Sequence, residues 1–145
     1  MSEQTDGART AAQGFDTLAI HAGQAHDPTT GAVIPPLHVS STYAQDGIGG
    51  LHGGYEYGRS ANPTRTALQT QLAALEGGEF GLSFASGLAA EDALLRAVLT
   101  PGDTVLMGND VYGGTHRLVD QILGPWGVNL RIVDMTSTEA VAAAL

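Results

Sequence analysis

From Asn62 onward the chain repeats one plan: apolar residues at helical spacing, a glycine that stops the run, and a short apolar stretch. Asn62 is placed to cap a helix that starts at Pro63 and carries Ala67, Leu68, Leu72 and Leu75 at helical spacing, with Gly77-Gly78 ending it. A short strand is predicted over 80–84, then a helix over 87–99, and Pro101-Gly102-Asp103 turns the chain into a strand over 104–107. In the next unit Gly113-Gly114 opens a helix over 113–123, Gly124-Pro125 stops it, and 130–133 forms another apolar strand. Residues 138–145 read as a further helix with a start signal and no stop, so the chain is expected to end in mid-element. Short strands, apolar on both faces and alternating with helices, predict a mainly parallel sheet covered by helices; the fold class is α/β.

The first part of the chain is different. Residues 1–62 are interrupted by Gly7, Gly14, Gly23, Gly31, Pro28, Pro35, Pro36 and the pairs Gly49-Gly50 and Gly53-Gly54. So long an irregular segment is uneconomical inside a compact monomer, and its spacing predicts an arm, 1–62, lying across a neighbouring subunit. Residues 63–145 are then expected to be the first part of a larger α/β domain. The polar, acidic opening stretch lacks a basic start and an apolar run, and reads as a disordered leader rather than a secretory signal.

Composition removes several function classes. The chain has 145 residues, a formal charge of −9 and only six basic residues, which is the wrong balance for a phosphate backbone, so no nucleic-acid partner is expected. The most apolar helix, 87–99, is broken by Glu91, Asp92 and Arg96 and is too short for a bilayer, so no membrane role is expected. Without cysteine there is no disulfide, thiolate nucleophile or cysteine-type zinc site, which is compatible with a cytoplasmic protein. His21, His26, His38, His52 and His116 contain no pair at the spacing of a helical metal site, and no bound metal is expected.

Two loops look built for phosphate, 57–64 and 83–90. Ser86-Gly87 lies where a strand is predicted to pass into a helix, so the free first-turn N–H groups and the helix dipole favour an anion there; the same pair is also an ordinary helix cap. Tyr57 and Arg59, two apart on chain expected to be extended, offer a phenol and a guanidinium on one side, although a packed tyrosine beside a surface arginine has the same pattern. Tyr112 is expected at the carboxyl edge of the sheet, where its ring either stacks on a planar ligand or forms a rim aromatic. Arg117, one turn on, can take a substrate carboxylate or be solvated. All six basic residues are arginines, so no lysine amine is available to capture an aldehyde cofactor.

Four stretches occur in order: residues 17–24, the 57–64 run, Ser86-Gly87-Leu88-Ala89-Ala90, and Asp110-Val111-Tyr112-Gly113-Gly114-Thr115. Together they make the sequence resemble the Cys/Met-metabolism family of pyridoxal-phosphate enzymes, over nearly the whole chain and over about the first third of such an enzyme. The resemblance implies a fold-type I (aspartate-aminotransferase-like) enzyme with pyridoxal 5'-phosphate as cofactor and amino-acid substrates. It implies a homo-oligomer, a dimer of active-site-sharing subunits within a tetramer. Tyr57 and Arg59 would reach the cofactor phosphate of the neighbouring subunit, while Ser86, Gly87 and Leu88 would hold phosphate within their own. Tyr112 is the catalytic candidate, stacking on the pyridine ring, and Glu56 and Arg117 would lie near the substrate's distal end. The family usually has methionine where this chain has Leu88, a change that leaves the backbone contact intact. The family's cofactor-bearing lysine and the aspartate that pairs with the pyridine nitrogen belong to later sequence, so the 145-residue chain alone is expected to be inactive. The turn at Tyr112 with Arg117 and Trp126 most resembles the branch that replaces the γ-substituent of an activated homoserine with cysteine, giving cystathionine for methionine synthesis. The γ-lyase and O-acylhomoserine sulfhydrylase branches share these early motifs, and a non-catalytic binding or assembly module is the other reading.

Overall fold

The computed structural model describes residues 13–145; the expected leader lies outside them. The chain folds into two compact units that divide between Ser83 and Phe84.

In the first unit, α1 (Phe15–His21) packs against α2 (Pro63–Leu75). The close approach depends on Gly23, whose φ is +71° and where a Cβ would strike the Ala67 carbonyl oxygen. Gln71 on α2 also donates from Nε2 to the Ala19 carbonyl. The connection holds short pieces: isolated antiparallel bridges pair Thr42 with Tyr57 and Gln45 with Leu51, and a 3-10 turn covers His52–Gly54. Asn62 caps α2 as expected, its side-chain oxygen accepting from the N–H groups of Thr64 (2.9 Å) and Arg65 (3.3 Å), with Pro63 in the first turn. Gly77 ends α2 with φ +67°, and Gly78 N–H reaches back to the Ala73 carbonyl at 2.8 Å.

Residues 80–84 are not a strand: the Ser83 N–H and hydroxyl both donate to the Gln69 side chain of α2, at 3.0 and 3.1 Å. A strand requires a neighbouring ladder, and among the described residues this segment has none. On α2 Leu68 and Leu72 are exposed, and the buried residue is Ala73.

In the second unit, α3 (Gly87–Val98) leads to β1 (Thr104–Gly108), then α4 (Gly113–Arg117), a π-helical run (Leu118–Leu123), α5 (Gly124–Trp126), β2 (Asn129–Val133) and α6 (Thr138–Ala144). β1 and β2 pair in parallel, from Thr104 opposite Asn129 to Gly108 opposite Val133, which confirms the α/β class and the parallel sheet. Leu118, Leu123 and Val128 form the buried core, with Leu95, Leu99 and Val105 packed on it. Gly124-Pro125 does not stop the helix. The wider π turn accommodates a residue that donates no N–H, so the coil runs on to Trp126. The stop is Gly127 at φ +107°, with Gly127 N–H to the Gly124 carbonyl at 2.8 Å and Val128 N–H to the Leu123 carbonyl at 3.1 Å. Leu123 and Val128, both buried, supply the apolar contact that accompanies this cap. Among the described residues no helix is long and apolar enough to cross a membrane.

Candidate active site

Tyr57, Arg59 and Glu56 belong to the first unit. Tyr57 is held by its bridge to Thr42, and the next residue donates its N–H to the Ser41 carbonyl at 2.7 Å. Gly58 suits this approach, since a Cβ there would stand only 3.0 Å from the Ser40 carbonyl oxygen. The chain then turns rather than staying extended: Ser60 and Ala61 both donate N–H to the Tyr57 carbonyl, at 3.0 and 2.9 Å. The turn still brings the two side chains together, with the Arg59 guanidinium 4.8 Å from the centre of the Tyr57 ring. Tyr57 is half-buried and Arg59 exposed, and among the described residues Arg59 has no carboxylate partner. Glu56 is exposed; its carbonyl accepts from Tyr43 N–H at 3.0 Å.

One residue that sequence reasoning passed over holds this turn in place. Arg65, in the first turn of α2, donates to the carbonyls of Gly58 (3.3 Å), Arg59 (3.3 and 3.4 Å) and Ser60 (2.7 Å). Its planar fork satisfies carbonyls that the turn leaves without strand partners. An arginine in a capped first turn, just after a glycine-rich loop, was the only sequence signal for it.

Ser86, Gly87, Leu88, Tyr112 and Arg117 belong to the second unit. Ser86 caps α3, its hydroxyl oxygen accepting from Ala89 N–H at 3.1 Å. That bond leaves the N–H groups of Gly87 and Leu88 without an acceptor among the described residues. The cap and the anion site are therefore compatible: one hydroxyl serves Ala89, and two amides stay free at the positive end of a 12-residue helix. Space is open at Gly87, where a Cβ would meet nothing within 4 Å.

Tyr112 stands at the start of α4 and is 73% exposed. Its ring lies against Gly114, where a Cβ would collide with Cε1 of the tyrosine. Arg117, also exposed, lines a cleft of about 300 Å³ with Leu88, Gly114, Leu118, Gln121 and Ile122. The structure thus brings Leu88 and Arg117 to one cleft beside the turn that carries Tyr112. A further pair was not anticipated: the Thr115 hydroxyl donates to Glu91 Oε2 at 2.7 Å, linking α4 to α3.

This arrangement can be set beside known proteins. Residues 16–145 match the family of the Cys/Met metabolism PLP-dependent enzyme. The chain is 52% identical over 140 residues to cystathionine gamma-synthase of Mycobacterium bovis, covering 94% of this chain and 36% of that protein. It is 47% identical to cystathionine beta-lyase of Coxiella burnetii (90% of this chain, 34% of the relative) and 46% identical to cystathionine gamma-lyase of Bacillus subtilis (89% and 34%). Among solved structures, metB from Corynebacterium glutamicum superposes with a TM-score of 0.87 at 47% identity, over 92% of this chain and 34% of that one. The chain therefore spans about a third of the length of the curated relatives it matches. With the family match running from residue 16 to 145 and the parallel α/β fold in agreement, the chain belongs to the Cys/Met-metabolism family of pyridoxal-phosphate-dependent enzymes.

Proposed function

We propose that this chain, within a protein of the length of its relatives, takes part in a pyridoxal-phosphate-dependent γ-replacement on an activated homoserine by cysteine, giving cystathionine. The observation that carries this reading is the 52% identity to a cystathionine gamma-synthase, against 47% and 46% to beta- and gamma-lyases. In the reaction the Cγ–O ester bond of an O-acylhomoserine breaks and the carboxylate departs with the bonding pair. The cysteine sulfur gives up its proton and forms the new Cγ–S bond.

The residues present fit the cofactor's phosphate and ring. The free N–H groups of Gly87 and Leu88 and the open space at Gly87 suit a phosphate, with Ser86 holding the turn. Tyr112 offers an exposed ring face for the pyridine. Tyr57 and Arg59 are assigned to the phosphate of a neighbouring subunit's cofactor, and Glu56 and Arg117 to the distal end of the substrate. When bound, pyridoxal phosphate serves as an electron sink for carbanions formed on an amino acid. The arm assignment of 1–62 is supported by the run 33–39, where Leu37 and Val39 are 81% and 96% exposed. That exposure favours a homo-oligomer in which a second copy covers the run.

The chain contains no lysine, so on its own it can hold the cofactor only through phosphate and ring contacts. Two measurements test the reading. The full-length protein, given O-acylhomoserine and cysteine, is expected to yield cystathionine by chromatography. Predominant release of 2-oxobutanoate and ammonia from cystathionine would instead make it a γ-lyase, and homocysteine with pyruvate a β-lyase. The 145-residue chain mixed with pyridoxal phosphate is expected to leave the visible spectrum that of the free aldehyde and to show no turnover.

A further inference from the structure

We infer that Glu91 and Thr115 are positioning residues that hold the Tyr112 turn at a set distance from the first turn of α3. The inference rests on the cofactor reading given above. Glu91 follows Gly87 by four residues and Leu88 by three, so it lies one turn along α3 on the face of the two residues whose amides have no acceptor. Thr115 follows Tyr112 by three residues and lies on the first turn of α4. Its hydroxyl donates to the Glu91 carboxylate at 2.7 Å, and both residues are half-buried. A short bond to a carboxylate is of the stronger kind. Among the described residues it is the only side-chain hydrogen bond between α3 and α4.

The Tyr112 ring is coupled to that bond through Gly114. With no room for a Cβ beneath it, the ring rests on the first turn of α4 and is carried by that turn. Leu88 and Gly114 face one cleft from α3 and α4 respectively. A pyridine ring and its phosphate are joined covalently at a fixed separation, so a ligand that uses both the Tyr112 face and the α3 amides needs those two held in register. Inorganic phosphate needs only the amides. The Glu91–Thr115 bond therefore governs affinity for the whole cofactor and has little influence on the affinity for phosphate.

The test uses the full-length protein freed of cofactor, with Thr115→Val, Thr115→Ser, Glu91→Gln and Glu91→Ala. Pyridoxal phosphate binding is followed by quenching of protein fluorescence, and inorganic phosphate by its competition in that titration; Tm is recorded for each variant. Thr115→Val and Glu91→Ala are expected to bind pyridoxal phosphate about tenfold more weakly. Phosphate competition should be unchanged, Thr115→Ser should restore affinity, and the Thr115→Val/Glu91→Ala double variant should be no weaker than the singles. Unchanged pyridoxal phosphate affinity in both single variants would overturn the inference and leave the cofactor reading standing. So would loss of both ligands in parallel with Tm, which marks a structural role only. An unsubstituted protein that takes up no pyridoxal phosphate would overturn the cofactor reading and the inference with it.

Discussion

Arg65 shows how one side chain can fix a loop that has no strand partner. Its guanidinium donates to three successive carbonyls, from Gly58 to Ser60, and only a planar fork reaches all three. Arg65→Lys is expected to cost about 1–2 kcal/mol in urea unfolding and to loosen the stacking of Arg59 on Tyr57, detectable in near-UV circular dichroism. The turn carboxylates carry the acid sensitivity. Asp103 is held below the usual carboxylate range first by the Thr100 N–H and then by the Thr100 hydroxyl, Asp27 first by the Thr29 N–H, and Asp134 first by the Thr136 hydroxyl. A carboxyl more acidic folded than unfolded stabilises the fold above its unfolded pKa, and that stability is lost as pH falls through the folded pKa. Tm should therefore drop below about pH 4, and Asp103→Asn should make that drop smaller. The donors that matter here lie within three residues, which is why such turns are legible in sequence. The Arg65 contacts depend on how a whole loop folds back, and spacing does not encode that.

The helix ends divide the same way. Asn62-Pro63 starts α2 and Gly77-Gly78 ends it where the pattern placed them, because a cap needs only its own few residues. The end of the helical run after α4 was misplaced at Gly124-Pro125, because the π-helical stretch, with buried Leu118, Val119 and Leu123, carries the coil to Gly127. Gly127 is committed twice, by its φ of +107° and by Pro101 Cβ, which would lie 3.0 Å from an added methyl. Gly77 has a φ of +67° and open space around it. Gly127→Ala is accordingly expected to cost about 2 kcal/mol and Gly77→Ala about 1 kcal/mol, measured by denaturant unfolding. Asn62→Ala should cost about 1 kcal/mol for the cap, with a further increment because Asn62 Nδ2 also donates to the His38 carbonyl at 2.9 Å. The 80–84 segment carries strand-like residues, yet strand formation is a property of a pair, and α2 claims its Ser83.

For the whole molecule, the proposed sharing of sites between subunits makes a sharp prediction. Arg59→Ala and Tyr112→Ala, each in the full-length protein, are expected to lower activity as pure oligomers. Refolded as a mixture, half of the dimers would carry one subunit of each kind, with both lesions falling in one site and none in the other. Activity should then recover to about a quarter of the unsubstituted level. A mixture no better than its parents would place both residues in one subunit's site. The α/β class, the capped helices, the four ordered motifs and the absence of lysine are all legible in residue type and short-range spacing. That Arg65 clasps the Arg59 turn, that Gly114 lies under the Tyr112 ring and that Thr115 reaches Glu91 emerges with the folded chain alone. Those contacts join groups brought together by the path of the backbone, and their energies depend on distances that no local pattern specifies.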